Sequence, residues 1–564
     1  MTTKVANASN EGWDADLRYH DTLFATDSFY ANSTASNVHL EEVKTTPLFS
    51  ASVLKNVLSR NIELGGVAAS VLPQYGLLAK VLDKFDGSES KQPVDLLEPS
   101  TQNLVDAFGE SVPTERPVLG QKTEDNRLFV NMNAPWSTFI CGSQGSGKSH
   151  TLSCLLENAL IRSRLGKLPQ PLAGMVFHYD KFTGFSSTQI CEAAYIASTG
   201  IPVKVLVSPS NLWRMTRAYQ NLPGFPLNVK KPVVAPLLLH EKQLNVERMM
   251  KLMAVEEKDG KMALYMESVC RILRSIAMKN QNASGLNFND FIKRLDLETL
   301  NDGQKAMLNV RVELLKSFMY QPEMAGNANH QTKKPQFADT KKGRELERKW
   351  NSEDDANRRA KIADSNIWSF EPGTLTIVDL SCPFVDEGAA CAMFNICLAL
   401  FLEEREAAGR IIALDEAHKF MTSTSSSSQF TESLLSVIRQ QRHLATRVII
   451  ATQEPTISPA LLDLSSMTIV HRFTSPSWLA ALKSHLAGVS SDGDTSKRDV
   501  VEIFKRVVNL EAGEALLFSP SAMTGPEKEG GRPGLRMQKL GTGYLKVRVR
   551  KRLTTDGGRS ILAT

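Results

Sequence analysis

The eight residues Gly142–Ser149, GSQGSGKS, constrain this chain more than any other feature. They follow an apolar run, Trp136 to Cys141, and lead into helical periodicity from about Lys148 to Ser163. A strand, a glycine-rich loop and a helix in that order form a cradle in which backbone N–H groups close around phosphate oxygens and the helix amino terminus adds its dipole. Gly142, Gly145 and Gly147 let the backbone close, and Ser143, Gln144, Ser146 and His150 complete the expected contact set. Lys148 is expected to reach the β- and γ-phosphates, and the Ser149 hydroxyl to ligate Mg²⁺. ATP and Mg²⁺ are therefore the expected cofactors.

Two downstream segments supply the rest of that chemistry. At Arg410 the chain reads RIIALDEAHKF, a short apolar strand ending in two adjacent acids. Asp415 would hold the metal through water and Glu416 would polarise an attacking water as general base. Next comes VIIATQEP, which places Gln453 at the carboxyl end of a strand. There it either points toward the γ-phosphate or caps a turn before Pro455. Loop, acids and glutamine together imply hydrolysis rather than binding alone.

Further strand-like runs are Gly174 to His178, Val203 to Val207 and Leu375 to Leu380, with helical segments between several of them. The alternation predicts an α/β fold with a mostly parallel sheet covered by helices on both faces. Residues 1–46 are polar and read as a flexible arm, and 47–115 as a small helical segment followed by a linker. The expected ATPase core then has two parts, 116–241 and 367–564, separated by a helical insertion at 242–328 and a densely charged flexible loop at 329–366.

The net charge is only +5, from 66 basic and 61 acidic residues, so bulk electrostatics do not announce a nucleic-acid binder. The seven cysteines include no CxxC pair and no histidine at metal-ligand spacing, so neither a zinc site nor a disulfide framework is expected. The amino terminus lacks the basic start and apolar core of a secretory signal. The longest apolar run, Ala389 to Leu402, is shorter than the roughly 18 to 20 residues a bilayer needs and reads as a buried helix. A cytoplasmic or nuclear protein, not secreted and without a membrane span, is the expectation.

DEAH at 415–418 and ATQ at 451–453, downstream of GSQGSGKS, resemble the HerA/FtsK superfamily of P-loop ATPases, especially the HerA-like branch. GTLTIVDLS at 373–381 and LEAGEALLFSP at 510–520 look like further strands of that family, and the likeness covers roughly 117–250 and 367–550. DEAH-box helicases are a poorer match. Their two motifs lie much closer than the 267 positions (415 − 148) found here, and SAT follows rather than ATQ.

The resemblance implies a RecA/FtsK-like fold, Mg²⁺-dependent ATP hydrolysis, a homo-oligomer (a hexamer in that family) and DNA as substrate. It also implies an arginine acting in a neighbour's site, for which Arg442 and Arg439 are the candidates, the alternative being solvent-facing arginines on an amphipathic helix. In YLKVRVRKRL, the residues Lys546, Arg548, Arg550 and Arg552 would share one strand face, either tracking a phosphate backbone or guarding a solvated edge. The small β-barrel that begins HerA-like motors has no counterpart in the helical and irregular pattern of 1–115, so a nuclease partner is not implied. An ATP-dependent switch or scaffold acting on a protein partner is the alternative reading.

Overall fold

The computed structural model describes residues 42–59, 71–85, 125–181, 189–253, 265–279, 286–319, 367–403, 409–422, 425–483, 494–529 and 532–557. The linker, the charged loop at 329–366 and nearly all of the amino-terminal arm lie outside the described residues.

The described strands are β1 (Leu48–Ser50), β2 (Tyr75–Phe85), β3 (Arg127–Asn131), β4 (Ser137–Cys141), β5 (Gly166–Lys167), β6 (Ala173–His178), β7 (Val203–Val207) and β8 (Val233–Pro236). They continue with β9 (Leu375–Asp379), β10 (Arg410–Leu414), β11 (Thr446–Thr452), β12 (Met467–Val470), β13 (Glu514–Phe518), β14 (Met523–Glu529), β15 (Arg532–Lys539) and β16 (Tyr544–Val549). All belong to one sheet. Its centre is parallel, in the order β12-β4-β11-β10-β6-β9-β7-β8. From β12 the sheet continues through β13, β16, β2 and β3 by antiparallel pairing.

The central strands are apolar on both faces because both faces are covered. Ile412, Leu414, Val448 and Ile450 enter one core with the helices Glu387–Glu403 and Ser425–Arg439. Ile411, Ala413, Ile449 and Ala451, the alternate positions, enter another with the helix Lys148–Leu160. This is a P-loop NTPase fold: a parallel sheet between helical layers, with the glycine loop joining β4 to a covering helix.

Between β8 and β9 lie the helices Val246–Met253, Tyr265–Lys279, Phe288–Asp296 and Asp302–Phe318. Met249, Tyr265, Ile272, Phe291 and Leu315 of these helices share the core of Glu387–Glu403, and Trp368 Nε1 donates to Leu238 O at 3.1 Å. Burial all round explains why Glu387–Glu403 is apolar on every side. No helix among the described residues is long and apolar enough to cross a membrane.

One expectation for the amino-terminal part is corrected. Residues 75–85, expected to be helical, form the long strand β2. The apolar positions Leu78, Val81 and Leu82 mimic helical spacing because the pairing of β2 with β3 shifts register between Leu77 and Ala79, which interrupts the alternation. Pairing with β3 on one side and β16 on the other overrides the local pattern.

Candidate nucleotide site

The parallel registers bring five strand ends together. Leu414 of β10 pairs with Ile450 of β11 and with Phe177 of β6, while Cys141 of β4 pairs with Thr452 and with Val470 of β12. The residues just past those ends, Gly142, Asp415, Gln453, Tyr179 and His471, therefore share one edge of the sheet.

The loop after β4 needs its glycines for geometry. Gly147 caps the helix at φ 112°, a left-handed conformation that disfavours any side chain, and makes no side-chain capping bond. The first-turn amides stay open to an anion. A Cβ on Gly142 would come within 2.7 Å of both His471 Cβ and Ser146 Oγ. The loop is anchored by Ser143, whose N–H and hydroxyl both donate to Arg472 O (2.9 and 2.8 Å), and by Ser146 Oγ, which donates to Ser143 O at 2.7 Å. Gln144 and Gly145 form its exposed crest. Lys148 is buried, and its Nζ donates to Ser143 O at 3.0 Å. Burial lowers the pKa of the lysine more than the nearby Glu416 and Asp415 raise it.

Asp415 and Glu416 face Lys148 from the next strand but one. Burial pushes the Asp415 carboxyl up, yet His178, Lys419 and Lys148 outweigh it and hold the group below its ordinary value. Its Oδ1 has no hydrogen-bond partner among the described residues. Glu416 occupies a left-handed conformation, φ 52° and ψ 44°, unusual for a side-chain-bearing residue and costing about 1 kcal/mol or more. Its Oε2 accepts from Gln453 Nε2 at 2.9 Å and lies 3.4 Å from His418 Nδ1. Gln453 is itself held by a tight turn, in which Thr452 Oγ1 donates to Glu454 O and accepts from the Glu454 N–H, both at 3.0 Å.

These features fit ATP and Mg²⁺: open helix amides, a buried ammonium, a hydroxyl at Ser149 and an ionised carboxylate with an unpartnered oxygen. The structure brings Lys148, Ser149, Asp415, Glu416 and Gln453 to one place. His150 departs from its expected role, because its Nε2 lies 2.7 Å from Arg550 O and its ring faces the carboxyl-terminal segment. Arg439 and Arg442 are exposed and precede β11, whose seven residues separate them from this edge by roughly 20 Å. Neither joins the site within its own chain.

The basic strand face is also redrawn. Lys546 Nζ lies 3.0 Å from Glu514 Oε2, and Arg548 pairs with Glu514 at 2.9 Å and with Glu511. Arg550 and Arg552 lie beyond the end of β16 and turn inward. Arg550 bonds Glu157 at 2.7 Å and Cys154 O at 3.0 Å, and Arg552 lies 3.3 Å from Glu192. Acids supplied by other elements thus neutralise the alternation read from sequence.

Sequence reasoning missed His471 and His178, which end or follow the strands β12 and β6. The rule that drew attention to Gln453, a polar residue closing an apolar strand, applies equally to MTIVH and AGMVFH. His471 is fully buried. Its Nδ1 sits 2.8 Å from Glu514 O and its Nε2 2.9 Å from Thr151 Oγ1, so Nδ1–H donates to the carbonyl and Nε2 accepts from the hydroxyl.

No family model matches the chain, and no curated protein matches it. Among solved structures it is similar to VirB4 of Thermoanaerobacter pseudethanolicus, at 10% identity and TM-score 0.37 over 74% of this chain and 90% of that one. It is similar to the plasmid coupling protein TrwB in complex with a non-hydrolysable GTP analogue, at 13% identity and TM-score 0.36 over 74% and 86%. A third likeness is to the genome packaging NTPase B204 from Sulfolobus turreted icosahedral virus 2 in complex with ATP-gammaS, at 15% identity and TM-score 0.20 over 28% and 65%.

Proposed function

We propose that this chain hydrolyses ATP with Mg²⁺ and that it works as an oligomeric motor of the HerA/FtsK type on DNA. The observation that carries the hydrolytic reading is the Gln453–Glu416 hydrogen bond of 2.9 Å beside a buried lysine. It holds the carboxylate of a glutamate with a left-handed backbone where a water could be polarised for attack. Lys148 would leave the Ser143 carbonyl for phosphate oxygens, gaining a charge-assisted partner in place of a neutral one. Mg²⁺, when bound, would neutralise charge developing between the β- and γ-phosphates, with Ser149 and Asp415 as its protein contacts.

The oligomer and DNA are supported by the resemblance of the three motifs to the superfamily and by the exposure of Arg439 and Arg442, which leaves both able to enter a neighbour's site. A second reading, an ATP-dependent switch or scaffold acting on a protein partner, draws on the pairing of Lys546 and Arg548 with Glu511 and Glu514, which removes a basic strand from the DNA argument.

ATP turnover of the wild type and Lys148→Ala, with and without double-stranded DNA, and with particle size followed by light scattering, separates the two. DNA-stimulated turnover from a ring-sized particle, lost in the variant, supports the motor. Turnover by a monomer indifferent to DNA selects the switch.

A further inference from the structure

We propose that His178, Cys191 and Asp415 form a binding site for a thiophilic divalent cation such as Zn²⁺, and that its occupancy withdraws Asp415 from magnesium coordination. The three residues come from separate elements: the end of β6, the residue before the 3₁₀ turn Glu192–Thr199, and the end of β10. Their ligand atoms lie within 4.8 Å of one another, and all three side chains are buried. His178 Nδ1 is 3.6 Å and Cys191 Sγ 3.8 Å from Asp415 Oδ2.

Tetrahedral zinc with N, O and S ligands at about 2.0–2.3 Å has ligand-to-ligand edges of roughly 3.4–3.6 Å. A cation at the centre of the group therefore requires the two Asp415 edges to shorten by a few tenths of an ångström and the His178–Cys191 edge, which lies within 4.8 Å, by up to about 1.3 Å. The His178 ring supplies an independent pointer. It is 1% exposed, and neither of its nitrogens has a hydrogen-bond partner among the described residues. Its Nδ1 has only the Asp415 carboxylate, at 3.6 Å and so beyond hydrogen-bond distance, and coordination would give that buried nitrogen a full partner.

Chemistry also selects the cation. Mg²⁺ asks for six oxygens, whereas one imidazole, one thiol and one carboxylate suit a softer metal with a fourth position open. Binding would release the Cys191 thiol proton, and the Nδ1 proton that His178 directs at Asp415, to solvent, leaving thiolate–metal and imidazole–metal bonds. Cys191 is held in place, since its N–H donates to Tyr219 Oη at 3.1 Å and that hydroxyl donates to Asp379 at 2.5 Å.

The test uses Co²⁺ on the full-length chain without nucleotide. A single tetrahedral cobalt with a thiolate charge-transfer band, displaced by Zn²⁺, is expected, and Cys191→Ala and His178→Gln should each weaken cobalt binding about tenfold or more. No band, or a band that Cys191→Ala leaves intact, overturns the site. Zinc-edge X-ray absorption on the wild type needs no variant: one sulfur neighbour supports the site, and nitrogen and oxygen neighbours alone overturn it. The inhibitory half rests on the ATPase reading. Zinc should depress Mg²⁺-dependent turnover in the wild type and not in Cys191→Ala, and equal depression in both overturns that half. A cysteine-dependent cobalt band in a protein without turnover would retain the site and reject only the ATPase reading.

Discussion

Gln453 Nε2 donates to Glu416 Oε2 at 2.9 Å, joining the loops that follow two neighbouring parallel strands. The bond fixes the orientation of a carboxylate whose backbone is already forced into a left-handed conformation, so strain and hydrogen bond meet in the same residue. Glu416→Gln should lower kcat by about 10²–10⁴-fold while ATP still raises the melting temperature. Gln453→Ala should lower kcat by roughly tenfold or more with little change in nucleotide affinity. Unchanged kcat in Gln453→Ala would reduce that glutamine to a turn cap.

Lys148 is buried against a neutral carbonyl, and burial lowers its pKa, so the cation is held at a cost in the nucleotide-free protein. Lys148→Ala should therefore melt no earlier than the wild type without nucleotide. Its stabilisation by ATP, about 2.7 kcal/mol in the wild type at a hundredfold excess over Kd, should disappear. Thermal melts with and without Mg-ATP check both halves, and an early-melting apo variant would make the lysine a structural residue.

Burial and the nearby Lys148 push His471 down to about 4, against the pull of the Glu514 carbonyl. Its folded pKa therefore lies below the unfolded value of about 6.5. Between these values the unfolded chain binds more protons, so stability is full above about pH 6.5 and falls as the pH drops toward 4. The loss attributable to this residue is about 3 kcal/mol. Urea midpoints from pH 7 to 4 should show the slope, and His471→Gln, which keeps a polar group near Thr151, should flatten it.

The parts of the site that sequence reveals are those where chemistry fixes spacing. The glycines, Lys148 and Ser149 are contiguous, and Asp415, Glu416 and Gln453 close apolar strands, so each can be named without the fold. Cys191 and Glu157 are different. Cys191 meets His178 and Asp415 only because the 3₁₀ turn Glu192–Thr199, β6 and β10 converge. Glu157 sits in the last turn of the helix Lys148–Leu160, yet accepts from Arg550, Leu553 N–H and the Thr554 N–H and hydroxyl, partners almost 400 positions away. Charge alternation misled at 546–552 for the same reason, since the neutralising acids lie elsewhere in the chain. Strand β2 was hidden by its irregular register.

Arg447 carries the last prediction. The second residue of β11, it carries a guanidinium that is almost wholly buried and has no carboxylate partner among the described residues. Its donors instead reach four carbonyls: Ala134 O at 3.1 Å, Ala445 O at 2.7 Å, Met132 O at 2.8 Å and Asn133 O at 2.6 Å. These bonds tie the start of β11 to the turn between β3 and β4, and burial pulls the group down to about 10. Arg447→Ala strands several buried carbonyls and should cost about 3 kcal/mol or more. Arg447→Lys should also destabilise, because an ammonium cannot span the fan of acceptors that a planar guanidinium reaches. Since the residue lies at the strand end opposite the nucleotide site, both variants should keep the wild-type Kd for ATP below their melting temperatures. Chemical denaturation combined with nucleotide titration checks this, and a weakened Kd at unchanged stability would show that the start of β11 communicates with its far end.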